Sequence, residues 1–428
     1  YEVDLRDWSS DVCSSDLTLK VGGQTEKYPR YYVAGREIID TVHAIKRRNA
    51  ITREMDNYGL KTAAKHFGVA AENREYIEGD QIATIWNENP NRVIRYAFGD
   101  VREVDAVSSL LMGNTFTLAQ IIPTTFSKLA VAGSATTIDM LLIRGYLHMN
   151  YSLPVPKKKT DMFRGGKTEL IRQGVLENVV KADAESLYPS IMLTYKIKPE
   201  SDHLNIMLPV LDYLTRNRLM AKRRLKSLKI GCSEYIFLDA YQGALKIIIN
   251  SFYGYLGADG FVTFNDPEQA DRVTHYGRQI LEEMLTHIKY FGGLPIEADT
   301  DGVYFSIPQA NAPLEFVSAI NQRLNRPGIN IGFDGHWKAM YSIGKKNYAL
   351  LEFNGELVTK GASLKASDLE PFLATFLTEG IRDLLNKDTH SLRKRFLDIV
   401  TALKQRKMAI RLLCKTTRLS KDISEYKK

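Results

Sequence analysis

Three aspartates stand where a chain can turn carboxylates toward one point. Asp183 closes the apolar run ENVVKADA, just before a tyrosine-proline corner, ESLYPS. Asp299 and Asp301 sit in ADTDG, between two apolar runs. VVKADA reads as a strand, and LPIEADTDGVYFSI (Leu294 to Ile307) reads as strand, tight turn, strand, with Val303, Phe305 and Ile307 alternating. Strand ends and hairpin tips converge when the strands are neighbours in one sheet. Converging carboxylates repel one another unless cations sit between them. Hard oxygen donors favour magnesium, which keeps waters and takes phosphate oxygens as further ligands. Two such ions about 4 Å apart activate an attacking hydroxyl and stabilise the leaving oxygen of an in-line displacement at phosphorus. Alone, DTDG reads equally well as an ordinary Asp-Gly turn; the company of DAESLYPS weights it toward chemistry.

Phosphate handling has its own candidates. Residues 206–229 and 237–256 carry helical patterns broken by IGCSE, the second with Leu238, Tyr241, Leu245, Ile248 and Phe252 on one face. Such a pair reads as an antiparallel helical hairpin. Arg218 and Lys222, four residues apart, share a face, and Lys246, Asn250 and Tyr253 form one stripe in KIIINSFYG. A basic stripe with a tyrosine-bearing one suits a triphosphate and a stacked base. Asn250 and Tyr253 also read as satisfied polar groups of a core.

The elements that must position these residues are partly readable. Residues 31–50 suggest a short strand and a helix start, and GLKTAAKHFG (Gly59 to Gly68) a helix with Leu60, Ala63, Ala64 and Phe67 on one face and Gly68 as its stop. A helix over 93–111 is expected to bury Val101, Val104, Val107 and Leu111, and another covers 136–148. YSLPVPKKK (Tyr151 to Lys159) is a linker, Asn354-Gly355 marks a hairpin between two apolar runs, and the chain turns helical and basic from Leu369. The 428 residues allow two or three domains, and 44% hydrophobic with 25% charged residues is ordinary for a globular chain. No apolar run is long enough to span a bilayer. Cys13, Cys232 and Cys414 are few, odd in number and far apart, which suggests neither a disulfide framework nor a zinc site and fits a reducing setting. The net charge of +8 is concentrated in tracts. One is the acid-free stretch Tyr213 to Ser233; the others are Lys157 to Lys159, and Arg393 to Lys407 with its six basic residues. Any one tract reads as a solvated face, whereas together they fit a nucleic-acid partner. RDWSSDVCSSDL (Arg6 to Leu17) has no period and is set aside as a cloning or sequence-assembly scar.

DAESLYPSI, KIIINSFYG and ADTDG, in this order and separation, resemble the three polymerase motifs of family B (polymerase-alpha-like) DNA polymerases. FRGG (Phe163 to Gly166) resembles the family's YxGG motif with Phe for Tyr, and KKNY (Lys345 to Tyr348) its KxY motif, which contacts the primer-template minor groove. TKGASLKASD (Thr359 to Asp368) resembles a later palm segment without the usual arginines or the acid after KG. Ser is common in the family where Gly302 stands, though DTDG also occurs there. The resemblance runs from about Tyr31 onward. It implies an α/β (α+β) right-hand polymerase: a palm with an antiparallel sheet, helical-hairpin fingers and a partial thumb, preceded by a partial RNase H-like exonuclease domain. It implies that Asp183 and Asp301 bridge two Mg2+ ions (Mn2+ as a substitute), with the Ala184 carbonyl as a further ligand and Asp299 as an auxiliary acid. The Ser186 and Leu187 amides would receive phosphate oxygens. Tyr188 would exclude a 2′-hydroxyl. Arg218, Lys222 and Lys246 would grip the triphosphate, Asn250 and Tyr253 would line the nascent base pair, and Gly165, Gly166, Lys346, Tyr348 and Lys360 would contact DNA.

The implied partners are primer-template DNA and deoxynucleoside triphosphates, with a sliding clamp or other replication proteins left open and no membrane. The implied location is the cytoplasm of a bacterial, archaeal or phage-infected cell, at the nucleoid. The expected layout is a non-native leader over 1–24, the C-terminal part of an exonuclease-like domain over 25–112, connecting helices and linker over 113–160, palm over 161–205, fingers over 206–257, palm again over 258–370 and the start of a truncated thumb over 371–428. YAFGD (Tyr96 to Asp100) resembles the third exonuclease motif, and GREIID (Gly35 to Asp40) a segment shortly before it, without the two earlier motifs. Asp100 is then a lone remnant, little proofreading is expected, and the chain reads as a fragment of a longer polymerase. Two rivals stay open: a fragment that grips primer-template DNA without extending it, and a 3′–5′ exonuclease.

Overall fold

The computed structural model describes residues 17–21, 24–28, 35–52, 55, 57–157, 165–258, 262–308, 312–361 and 369–415. In chain order its elements begin with β1 (Leu17–Val21), β2 (Gln24–Tyr28), α1 (Thr41–Thr52), α2 (Leu60–His66), α3 (Ile82–Glu88), α4 (Pro90–Ala119), α5 (Phe126–Val131) and α6 (Ser134–His148). There follow β3 (Thr168–Leu170), β4 (Gly174–Ala184), α7 (Leu187–Thr194), α8 (Met207–Leu225), α9 (Ser233–Leu256), α10 (Pro267–Tyr290), β5 (Leu294–Asp299) and β6 (Gly302–Ser306). The rest are α11 (Pro313–Leu324), β7 (Ile331–Gly344), β8 (Asn347–Leu351), β9 (Leu357–Lys360), α12 (Pro371–Leu385), α13 (Thr389–Lys404) and α14 (Ile410–Leu413). They form two compact units, one of residues 1–159 and 199–266, the other of residues 160–198 and 267–428.

The first unit is mostly helical. Its one described sheet is the antiparallel pair β1–β2, in register from Leu17↔Tyr28 to Val21↔Gln24, with Leu19 buried. Of the residues expected in the leader, Leu17–Val21 and Gln24 take part in this pairing. The short strand expected before α1 does not form over residues 35–40, and residues 31–34 lie outside the described residues. Pro90 at the first turn and the Asn89 side chain, which accepts from the Arg92 N–H, start α4. This helix carries 30 residues and touches α1, α2, α3, α5 and α9. With neighbours on several sides, its buried line is Glu103, Val107, Met112, Thr117 and Leu118. Val101 and Val104 instead face solvent at 66% and 40% exposure, so the expected four-residue stripe is corrected to Val107 and the residues after it. Around Val107 cluster Ile45, Met55 and Ala63.

The expected helical hairpin is α8 and α9, with Leu245, Ile248 and Phe252 buried between it and α4 and α6. Asp202 sets its first helix: the buried carboxylate accepts from the N–H groups of Ile206 (3.1 Å) and Met207 (2.9 Å) and from the Tyr146 hydroxyl (3.1 Å). Asp139 on α6 holds the far end of α9, accepting from the Tyr255 hydroxyl at 2.6 Å and from Thr263.

The second unit is built on a seven-stranded sheet of order β3-β5-β6-β4-β7-β8-β9, antiparallel at every junction. Period-2 alternation sends Tyr348 and Leu350 to one face, with Val179, Ile296, Tyr304 and Met340, and sends Ala349 and Leu351 to the other, against Ile381 and Leu385 of α12. Helix α10 buries Val273, Gly277, Ile280, Leu281, Met284 and Ile288 at helical spacing against α7, α11, β5 and β6. The Asn354-Gly355 hairpin forms as read, with Gly355 at φ 87° between β8 and β9. Strand β7 was not anticipated. IGFDGHWKAMYSIG breaks alternation with glycines and charges, and its first half is mostly half-buried, with Phe333 and Asp334 exposed. Among the described residues no helix is long and apolar enough to cross a membrane.

Removing the Asp202 carboxylate would leave two helix N–H groups without an acceptor and the Tyr146 hydroxyl with only the Ser201 carbonyl at 3.4 Å. Asp202→Ala should lower stability by about 2–4 kcal/mol, as read from urea unfolding.

Candidate functional site

Asp183 is the penultimate residue of β4, and its cross-strand neighbours are Gly302 on β6 and Gly332 on β7. Glycine at 302 lets the carboxylate lie close: a Cβ there would be 2.4 Å from Oδ1 of Asp183 as it stands, and the carboxylate would have to shift. The carboxylate thus lies across the residue that follows Asp301. The turn is stitched to the strand end, since the Ala184 N–H donates to the Asp301 carbonyl at 2.7 Å. Thr300 holds the turn at φ 60°, an unusual backbone for a β-branched residue, with its N–H on the Lys167 carbonyl. The two acids that lie 118 positions apart in the chain are therefore brought together by β4–β6 pairing, as the sequence reading required.

Electrostatics follow from that proximity. The Asp301 carboxyl is pushed up to about 6, by burial first and by the charges of Asp183 and Asp299, with Lys181 opposing. Protein crowds Asp301 on most sides, yet the residue keeps an exposed face. Water on that face limits the size of the effect. Lys181 lies two residues before Asp183 on the same face of β4, with Nζ 3.2 Å from Asp183 Oδ1 and 2.7 Å from Asp334 Oδ2. Burial works against its charge, but the hydrogen bond to Asp334 and the charges of Asp183 and Asp334 outweigh burial and raise its pKa. Asp299 receives Lys346 Nζ at 2.9 Å and the Thr300 hydroxyl at 3.1 Å.

A buried acid that the sequence reading missed supports this arrangement. Glu297 is fully buried on β5 and accepts the Lys346 N–H at 2.6 Å, fixing the KKN turn at φ 58° for Lys346. Burial raises its pKa. The available signal was a charge inside the apolar strand LPIEAD. The TKG turn packs on the same place: at φ 100°, Gly361 has room for no side chain, and a Cβ would come within 2.4 Å of the Lys346 carbonyl. Lys360 before it is exposed. Tyr348 requires correction as a DNA contact. Its ring is 7% exposed in the sheet core, and its hydroxyl is 3.0 Å from that of Tyr304, so β8's inward alternation removes it from the surface.

Tyr188 stands at the start of α7, after Ser186 at φ 48° and beside the buried Leu187. Two glycines shape its surroundings. A Cβ on Gly277 of α10 would meet the ring at 3.1 Å, and one on Gly166 would meet the hydroxyl at 2.4 Å and Thr300 Cγ2 at 3.3 Å. The Gly165 carbonyl accepts from Arg278 at 2.8 Å. Gly165 and Gly166 thus border Tyr188 and the Asp299–Asp301 turn. Phe163, most of the TKGASLKASD segment and the RLSKDISEYKK segment lie outside the described residues.

In the other unit, Lys222, Lys246 and Asn250 are exposed on the helical hairpin, and Arg218 and Tyr253 are half-buried. Asn250 is therefore no core polar group. Tyr96 and Asp100 lie on α4, where Arg74 dominates. Its guanidinium pairs with Asp100, reaches Glu103 at 2.9 Å and the Tyr96 carbonyl at 3.1 Å, and stacks 5.0 Å from the Tyr96 ring. Asp100 is thus engaged by an arginine.

Among the described residues no three His, Cys, Asp or Glu side chains converge as an ion site by themselves. The Asp183–Asp301 pair still fits divalent magnesium: it offers hard oxygens, and its mutual repulsion is what a cation would relieve. For an acid whose folded pKa lies above its unfolded value, the folded state binds the extra proton, so stability falls as pH rises between the two. In metal-free protein, Asp301→Asn should therefore gain on the order of 1 kcal/mol at pH 8, allowing for screening on the open face, and the gain should shrink as pH falls below about 6 and vanish by about pH 4, where the unfolded carboxyl is protonated too. Urea titrations at the two pH values check this.

The sequence profile of DNA polymerase family B matches residues 197–428, a span that holds Asp299 and Asp301 but starts after Asp183. The DNA polymerase of Desulfurococcus sp. (strain Tok) is 26% identical over 373 residues, covering 78% of this chain and 47% of that protein. The DNA polymerase of Archaeoglobus fulgidus is 25% identical over 389 residues, covering 86% and 49%. The chain thus spans about half the length of the curated relatives it matches. In fold it is similar to the family B DNA polymerase from the hyperthermophilic archaeon Pyrobaculum calidifontis, with a TM-score of 0.61, 23% identity, and coverage of 96% of this chain and 56% of the other. With more than half its length matched by that profile, and with the mixed helix and antiparallel-sheet fold to go with it, this chain belongs to DNA polymerase family B.

Proposed function

We propose that the chain is a DNA-directed DNA polymerase, a nucleotidyltransferase that adds deoxynucleotides to a primer 3′-hydroxyl under the direction of a template. The observation that carries this reading is the meeting of Asp183 and Asp301 across the β4–β6 pair. Asp183, Asp301 and the Ala184 carbonyl would hold two magnesium ions, for which manganese can substitute. When bound, these ions would lower the pKa of the attacking hydroxyl and neutralise charge on the triphosphate and on the leaving pyrophosphate.

The chain's own residues do the rest. Asp183 and Asp301, held by strand pairing, fix where the reacting phosphate must lie, and positioning of this kind removes much of the barrier. Asp299 adds negative charge beside them without bridging. The Ser186 and Leu187 amides at the start of α7 receive phosphate oxygens. Tyr188, its ring pressed on Gly277 and its hydroxyl at Gly166, floors the sugar site and leaves no room for a 2′-hydroxyl. On the helical hairpin, exposed Lys222 and Lys246 with Arg218 supply counter-charge for a triphosphate, and Asn250 and Tyr253 offer a polar and an aromatic surface to a base pair. Exposed Lys360 and the basic tracts bind the DNA backbone without reading sequence, so affinity should weaken steeply with salt.

A labelled primer-template with nucleotides and Mg2+ tests the reading. Wild type should extend the primer, and Asp301→Ala should lose extension by several orders of magnitude. Equal, negligible extension by both would leave only DNA binding. Tyr188→Ala should raise ribonucleotide incorporation while extension with deoxynucleotides persists; unchanged discrimination would remove its role at the sugar.

A further inference from the structure

Strand β4 carries an acid and a base on one face, and the base has two acids to choose between. Lys181 Nζ bonds Asp183 at 3.2 Å and Asp334 at the shorter 2.7 Å. The lysine stem runs over Gly302, where a Cβ would lie 3.1 Å from Cε, and Nζ stands 5.7 Å from the Tyr304 ring centroid. Asp334 owes its place to an irregularity in the sheet. Lys181 pairs with Gly335 and Ala182 with Phe333, so Asp334 is the extra residue of a bulge in β7. A bulge bends its strand and re-aims the side chain it carries. Gly335, beside it, is crowded by the Trp337 ring, which would lie 2.2 Å from any Cβ.

An ammonium and a divalent ion cannot both sit on one carboxylate oxygen. Magnesium takes oxygen ligands at about 2.0–2.1 Å and would repel a cation on the same carboxylate. Lysine is a point charge on a flexible four-carbon stem, able to swing between partners. We propose that Lys181 is an internal cation that holds Asp183 in the metal-free protein, competes with the divalent ion for that carboxylate, and gives way by moving wholly onto Asp334. This rests on the two-ion reading above. Lys181 is thus a positioning residue that sets how tightly the ion binds, and Asp334 is the place that receives its charge.

The test is manganese binding to the whole chain without DNA or nucleotide, followed by electron paramagnetic resonance at fixed pH and ionic strength. Lys181→Gln should bind Mn2+ about tenfold more tightly than wild type, the scale expected for removing one nearby, partly screened charge. Asp334→Asn should bind it more weakly, because Lys181 then has Asp183 alone. The double variant should return to the affinity of Lys181→Gln. The opposite signs, from variants on two different strands, keep the outcome readable if one of them folds poorly. Unchanged or weaker binding by Lys181→Gln overturns the competition. A double variant that stays weaker than Lys181→Gln overturns the receiving role and makes Asp334 an ion ligand instead. No Mn2+ binding by either wild type or Lys181→Gln would instead overturn the two-ion reading, and this inference with it.

Discussion

Two negative groups are forced together at the junction of β4 and β6, and much of the sheet unit is arranged around that repulsion. Pairing of Asp183 with Gly302, and the hydrogen bond from Ala184 to the Asp301 carbonyl, hold the backbones that carry the two acids side by side. Burial first, and that repulsion second, raise the pKa of Asp301. A fold selected only for stability would place an amide or an apolar residue there. Retention of both acids is physically sensible where a cation is meant to arrive.

Close backbone approach is the second theme of the unit. Gly302 makes space for the Asp183 carboxylate, Gly277 lets α10 meet the Tyr188 ring, Gly166 admits its hydroxyl, and Gly361 lets one turn lie on the Lys346 turn. Each contact joins segments distant in the chain, so the site is held by the sheet and by α10. Buried Glu297 plays a similar part: it cannot reach solvent, so the N–H of Lys346 is its resource, and that bond ties the KKN turn to the strand that leads into Asp299. Two lysines, Lys181 and Lys346, then stand against two of the acids as built-in counter-charges.

What was legible in the sequence follows from what sequence encodes locally. Strand ends, the Asp-Gly and Asn-Gly turns and the helical hairpin depend on near neighbours, so the convergence of Asp183 with Asp301 could be inferred from one strand and one hairpin. Elements whose character depends on distant partners were harder. Val101 and Val104 look like a buried stripe, but α4 meets its neighbours farther along, at Val107 and Met112. Tyr348 sits in a motif resembling a DNA contact, yet the face of β8 on which it falls is decided by pairing with β7 and β9, which buries it against Tyr304. Strand β7 has no alternating pattern, since most of its first half is neither fully buried nor fully exposed, and its bulge at Asp334 has no local signature. The pairing of Asp100 with Arg74 joins residues 26 positions apart and could not be read from YAFGD.

The most direct measurement of the shared-ion claim is anomalous diffraction from crystals of the protein grown with primer-template, nucleotide and Mn2+. The claim predicts manganese within bonding distance of carboxylate oxygens from both Asp183 and Asp301. Manganese bound to only one of them, or sited elsewhere while the two carboxylates stay bare, would contradict it.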